Sequence, residues 1–439
     1  AISSWIRSIF ENGWVSGDQF MNKKNSLISS LLNENNDQEK LQKIIEYEEF
    51  LQKHEQGGLS MPFLDQNRDL IQFLNRVYDD KDPQSYRIKS IIEKEMHLIA
   101  HKKSLDELVQ ISMHCDGLSR ELVYLCYRPI LQEIATKDKD SVQKMILILK
   151  DRWLEKNADQ CHFLHHELGY ALYDLYGLKG VDSCLDTYDE CSYGCYHGIA
   201  EEFTLLTYTG NISSILASRV YQNMLHSELS FETWNLHHGM GHAFYEIHDD
   251  LRRAFVDCEA SVSMSSPRTQ ACYYGAAHEF SIFMFHQNKS LADASKYCPS
   301  EFSKRRPCLY MLGQTYTLKQ GMAKTVRECE IVNDSACFVG MAAIIAVGRN
   351  SLSKAETICQ GLFPEEMKPR CYEGFAISYI FYDNDLNGAF EACTLGNQSH
   401  CYAYLKRAYE NDLWFQGELC DHVQASKREE CISAFEGII

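Results

Sequence analysis

Cys272-Tyr273-Tyr274-Gly275-Ala276-Ala277, Cys337-Phe338-Val339-Gly340-Met341-Ala342 and Cys371-Tyr372-Glu373-Gly374-Phe375-Ala376 are three versions of one phrase. Each opens on a cysteine, carries a glycine three residues later and continues into small, apolar side chains. That is the composition of a buried helix packed closely on its neighbours. A second cysteine precedes each phrase and closes a shorter, more polar segment, as in Ala292-Asp293-Ala294-Ser295-Lys296-Tyr297-Cys298. The pairs are 258/272, 298/308, 329/337, 359/371, 393/401 and 420/431, and the second members recur at steps of 36, 29, 34, 30 and 30 residues. Such a period reads as a helix, a turn and a second helix. Six pairs in series are too regular for coincidence.

Each pair is expected to form a disulfide between the end of one hairpin and the start of the next. Closing so short a loop removes about 3 kcal/mol of unfolded-state entropy. A single hairpin cannot bury its apolar face alone, so stapling neighbours steadies the whole array. Upstream, Cys115 and Cys126 read as one more staple, and the repeat rule joins Cys184 to Cys195 and leaves Cys161 for Cys191. In period and architecture, residues 110–439 resemble tetratricopeptide and Sel1-like solenoids. The resemblance implies an all-α fold: a disulfide-stapled α-solenoid of helical hairpin repeats preceded by a small helical region. The expected divisions are 1–105, a cysteine-free helical region; 106–290, His-rich repeats; and 291–439, stapled repeats. In the first, Ser16 can cap a helix through Phe20 and Leu27, and Asp37 one through Leu41, Ile44, Ile45, Phe50 and Leu51, stopped by Gly57-Gly58. Trp5, Phe10 and Trp14 match no motif.

Composition narrows the class of function. The 439 residues carry a formal charge of −18, which argues against a nucleic-acid partner, since phosphate binding needs an excess of Lys and Arg. No apolar run approaches the length of a membrane span. Eighteen cysteines, an even number without C-x-x-C spacing, point to an oxidising, extracytoplasmic compartment. The opening Ala1-Ile2-Ser3-Ser4-Trp5 is what signal removal would leave, and sequons at Asn211, Asn288, Asn333 and Asn397 fit a secreted glycoprotein.

Aligning the first helices on their cysteines and glycines brings out a histidine pattern. The residue before the glycine is His197 (Gly198), His238 (Gly239) and Tyr274 (Gly275); four positions later stand Glu201, His242 and His278. Residues at i and i+4 share one helix face, about 5–6 Å apart, close enough to chelate one ion. The preceding helix carries His162 and His166 at the same spacing. There the cysteine register is off by one, because Cys161 is followed at these positions by Phe163 and Glu167. A shift at an irregular repeat could absorb this, or His166 and Glu167 form the pair. Later repeats act as an internal control: they carry Tyr310/Gln314, Val339/Ala343 and Ala403/Arg407 at these positions, so the scaffold does not itself demand histidine.

The expected metal ligands are therefore His162, His166, His197, Glu201, His238, His242 and His278. Imidazole with carboxylate suits iron, copper or zinc, in a mono- or dinuclear centre. His165, His226, His237, His248 and His286 read as ordinary structural histidines. In plan the pattern is similar to deoxyhypusine hydroxylase, a helical-repeat protein whose His-Glu dipeptides hold a di-iron site. The matching dipeptides are His166-Glu167 and His278-Glu279, whereas the other two helices offer His197-Gly198 and His238-Gly239. The expected activity is a metal-dependent oxidoreductase acting on dioxygen or water, with Glu201, Glu167 or Glu279 as proton acceptor and Tyr274 as a neighbouring donor. A metal-delivery protein without turnover and an interaction solenoid are the alternatives. The sequence is silent on substrate and protein partner; exposed ends of repeat arrays often associate, which leaves a homo-oligomer open.

Overall fold

The computed structural model describes residues 17–33, 37–54, 85–115, 120–137, 158–184, 194–210, 212–218, 230–261, 267–346, 352–381, 386–396 and 401–402, with a few isolated positions. Among these residues every regular element is a helix, and no helix is long and apolar enough to cross a membrane. The chain divides into two compact units, Ala1–Arg152 and Trp153–Ile439.

The first unit contains α1 (Gly17–Leu32), α2 (Asp37–His54), α3 (Ser85–Ala100), α4 (Leu105–Ser112) and α5 (Arg120–Ala135). As the 3.6-residue pattern predicts, α2 runs from Asp37 and turns Ile44 and Tyr47 inward. Ser104 starts α4 through a capping box: its hydroxyl accepts from the Glu107 amide, and Glu107 accepts from the Ser104 amide at 2.9 Å. These bonds and Lys103 hold the Glu107 carboxyl at a pKa of about 2. Three polar side chains meet in the apolar interior. Lys24 Nζ donates to Glu95 Oε2 at 2.5 Å with both side chains fully buried, and the Tyr47 hydroxyl donates to Glu95 Oε1. Ser16, Gly57, Gly58 and the aromatics Trp5, Phe10 and Trp14 lie outside the described residues.

The second unit is built from α6 (Ala158–Tyr176), α7 (Gly194–Thr207), α8 (Ser230–His248), α9 (Leu251–Ser261), α10 (Pro267–His286), α11 (Phe302–Gln320), α12 (Met322–Val332), α13 (Ser335–Ala346), α14 (Leu352–Leu362), α15 (Lys368–Phe381) and α16 (Leu386–Leu395). The long helices α6, α7, α8, α10, α11, α13 and α15 pack in series, each on the next. Shorter helices fill the intervals: α9 touches α8 and α10, and α12 touches α11 and α13. One apolar core threads this row, from Phe203 through Phe244, Phe280, Leu312, Phe338 and Phe375 to Tyr402.

All seven disulfides among the described residues join cysteines that the repeat spacing pairs: 115–126, 184–195, 258–272, 298–308, 329–337, 359–371 and 393–401. Their Cα–Cα distances run from 5.4 to 5.8 Å, inside the range an unstrained bridge requires. Of the expected pairs Cys161–Cys191 and Cys420–Cys431, Cys191, Cys420 and Cys431 and the side chain of Cys161 fall outside what is described. Asn288 and Asn333 sit exposed at turns in left-handed backbone, and Ser290 caps the next short helix. Local structure thus has its own use for parts of two sequons.

Two stability outcomes follow. Cys258→Ser with Cys272→Ser should cost about 3 kcal/mol, through a loop of 14 residues regained by the unfolded chain; a denaturant melt that does not move would remove the entropic account. Glu95→Ala leaves the Lys24 charge buried without its carboxylate, for a loss of about 3–5 kcal/mol, read as a lower urea midpoint for the first unit.

Candidate metal centre

The residues that build the centre come from four consecutive long helices, and glycine decides how close those helices stand. A Cβ built on Gly198 would lie 2.2 Å from the His166 carbonyl oxygen; one on Gly239, 2.4 Å from that of His197; one on Gly275, 1.9 Å from that of His238. No side chain fits at such distances, so only glycine lets each helix rest its backbone on the one before. The same contact continues beyond the histidines, with Gly340 against the Tyr310 carbonyl. A reciprocal set points forward: Gly169, Gly241 and Gly313 meet the carbonyls of Cys195, Cys272 and Cys337 in the following helix.

These contacts define structural equivalence directly, and they correct the register expected for α6. His166 takes the place that His197 holds in α7 and His238 in α8, because each offers its carbonyl to the glycine of the next helix. Four residues on, Tyr170 is the counterpart of Glu201, His242 and His278. Neither His162/His166 nor His166/Glu167 is therefore the repeat-equivalent pair. His162 lies one turn earlier and joins the cluster from there.

Six imidazoles come together. Ring centroids of His162 and His166 are 4.7 Å apart, His162 and His197 5.1 Å, His166 and His242 5.1 Å, His197 and His238 4.4 Å, and His242 and His278 5.2 Å. Two triads, His162/His166/His197 and His197/His238/His242, each place their ligand nitrogens within 4.8 Å of one another. His166 Nε2 and His162 Nε2 face each other at 3.1 Å, the separation of neighbouring ligands on one cation with metal–nitrogen bonds of about 2.1 Å. All but His278 are buried.

Hydrogen bonds to oxygen fix which nitrogen of each ring carries the proton. His166 Nδ1 donates to Glu201 Oε2 at 3.0 Å, His242 Nδ1 to Glu279 Oε1 at 2.7 Å, and His197 Nε2 to Asn235 Oδ1 at 2.8 Å. The opposite nitrogens then carry lone pairs. Two of these, His197 Nδ1 and His242 Nε2, are buried with no hydrogen-bond partner among the described residues. An imidazole anchored through one nitrogen and bare at the other is the usual state of a metal-binding histidine. Burial first, and then neighbouring imidazoles, hold His166, His197 and His238 well below the ordinary histidine pKa. They are neutral at pH 7, the form that binds a cation.

The expected site residues are thus placed as follows. His162, His166, His197, His238, His242 and His278 converge. Glu201 is buried and turns its carboxylate to the outer nitrogen of His166; Glu279 does the same for His242 and is partly open to solvent. Burial and the charge of Glu279 push the Glu201 carboxyl well above its usual pKa range. Tyr274 packs edge-on against Tyr310 at 5.4 Å, toward the next repeat. Of the histidines read as structural, His165 and His237 are fully buried, His248 pairs with Asp257 at 2.7 Å, and His226 lies outside the described residues. Three residues went unremarked in the sequence: Tyr170, whose hydroxyl donates to Glu201; Asn235; and Glu246, whose charge also acts on Glu201. The spacing His-x-x-Gly, shared by His166–Gly169 and His238–Gly241, could have revealed the register and with it Tyr170.

Gly239→Ala should force α7 and α8 apart at His197. The expected cost is about 1–3 kcal/mol, read as a lower melting temperature, with weakened metal binding alongside; an unchanged melt would refute the close-contact account. No protein-family model matches this chain, and no curated protein or solved structure matches it.

Proposed function

We propose that this is a secreted metalloprotein whose imidazole cluster is a catalytic centre, an oxidoreductase acting on dioxygen or water. The observation that carries the reading is the pair of buried nitrogens, His197 Nδ1 and His242 Nε2, left without hydrogen bonds on rings anchored at their other ends. Leaving two such groups unsatisfied in a folded interior is costly unless something binds them. Iron, copper or zinc suits imidazole donors and would supply Lewis acidity, with electron transfer in addition for iron or copper.

The protein's own groups do the rest. The six histidines would hold the ion, and Asn235, Glu201 and Glu279 keep three of their rings turned the right way. Glu279, partly open to solvent, would take a proton from a small molecule at the cluster. Tyr170 steadies the Glu201 carboxylate by hydrogen bonding. Disulfides between every described pair of cysteines favour an extracytoplasmic setting.

The same burial favours a second reading, in which the ion is stored or delivered, or merely steadies the helix row, without turnover. Elemental analysis of natively purified protein, beside a His238→Ala/His242→Ala double variant, tests both. The expected result is one or two equivalents of iron, copper or zinc in the parent and less in the variant, while the variant's melting temperature stays close to that of the parent. Metal loss accompanied by a large drop in melting temperature favours the structural role. No metal above background, even after reconstitution, overturns the metalloprotein reading.

A further inference from the structure

The two triads share one residue, and that residue has a single nitrogen to give. His197 Nε2 is committed to Asn235, so only Nδ1 remains. One lone pair serves one cation. His162/His166/His197 and His197/His238/His242 therefore cannot both be complete at once. A sixth imidazole is at hand. His278 meets both histidines of α8, His242 at 5.2 Å and His238 at 6.5 Å between centroids, but of the α6 pair it meets His162, at 5.9 Å. Its shortest ring distance is to His242, which assigns it to the α8 pair. His197 is then left to complete the α6 pair, whose rings lie 5.1 and 5.4 Å from its own.

We infer that the cluster holds two imidazole-preferring transition-metal cations side by side, one on His162, His166 and His197 and the other on His238, His242 and His278. The assignment rests on the metal-binding reading above and goes further by fixing the number of ions and their ligands. It follows chain order: α6 with α7 supplies one set, α8 with α10 the other. Each set consists of two histidines four residues apart on one helix and a third from the next long helix of the row. Six imidazoles exceed the four ligands of a tetrahedral ion but divide evenly into two three-nitrogen sets, each leaving a position open for a small ligand. Glu201 and Glu279 stand outside, one behind each set, holding His166 and His242. Glu201, expected from the sequence as a ligand, is on this assignment a positioning residue, as is Asn235.

Zinc titration of metal-free protein against a weak competing chelator, with bound metal counted by mass spectrometry, tests the number. The unaltered chain should take up two equivalents; His278→Gln and His162→Gln should each keep one. Copper(II) gives a second readout that needs no variant. The paramagnetic resonance signal should grow through the first equivalent and then fall as the second brings a neighbouring, magnetically coupled ion. Saturation of the unaltered chain at one equivalent overturns the two-ion assignment while leaving the metal-binding reading intact. Two equivalents retained in either variant overturn the ligand assignment. Uptake of neither metal overturns both.

Discussion

The contact on which the second unit depends is a backbone touching a backbone. Where Gly198 rests on the His166 carbonyl, Gly239 on that of His197 and Gly275 on that of His238, successive helices approach as closely as their main chains allow. Ordinary side chains would hold helix axes about 8–10 Å apart and spread the rings they carry. Here each carbonyl touched belongs to a histidine of the cluster, so the same glycines that close the helix row bring neighbouring imidazoles to 4.4–6.5 Å. Packing and chemistry are set by one device. The disulfides serve it from outside, tying each short segment to the next long helix and keeping the row from unravelling at its weakest joints.

The price of such closeness is electrostatic. Six imidazoles in a buried wall could not all be protonated, and burial keeps those of His166, His197 and His238 neutral. Neutral rings still need partners for their N–H groups, which Glu201, Asn235 and Glu279 provide from different helices. Those partners consume one nitrogen per ring and orient the other. The result is that His197 Nδ1 and His242 Nε2 stay buried without a hydrogen bond. Beyond Tyr274 the same wall changes character: Tyr310 and Gln314 hydrogen-bond to each other at 3.1 Å, satisfying themselves without an ion.

Much of this was legible from one dimension. The cysteine steps, the small residues after each cysteine and the i, i+4 histidines are local patterns, and local patterns survive in sequence because a helix repeats every 3.6 residues. They carried the all-helical reading, every described disulfide and the six histidines. The register of α6 misled for a physical reason. Cys161 stands three residues further from the aligned position than Cys195 does from His197, so the cysteine is a poor ruler there. The glycine spacing was the better one, since glycine is fixed by the helix contact itself.

By itself, then, the sequence determined the helices, their order, the staples and the chemical nature of the groups on one helix face, all of which arise from neighbours along the chain. Only the tertiary structure decided which of those groups meet. It set Glu201 against His166 and Glu279 against His242, brought Asn235 to His197 across 38 residues, and aimed Tyr274 at Tyr310. A hydrogen bond between helices depends on the distance and rotation of two packed surfaces, and neither quantity is written in any single segment.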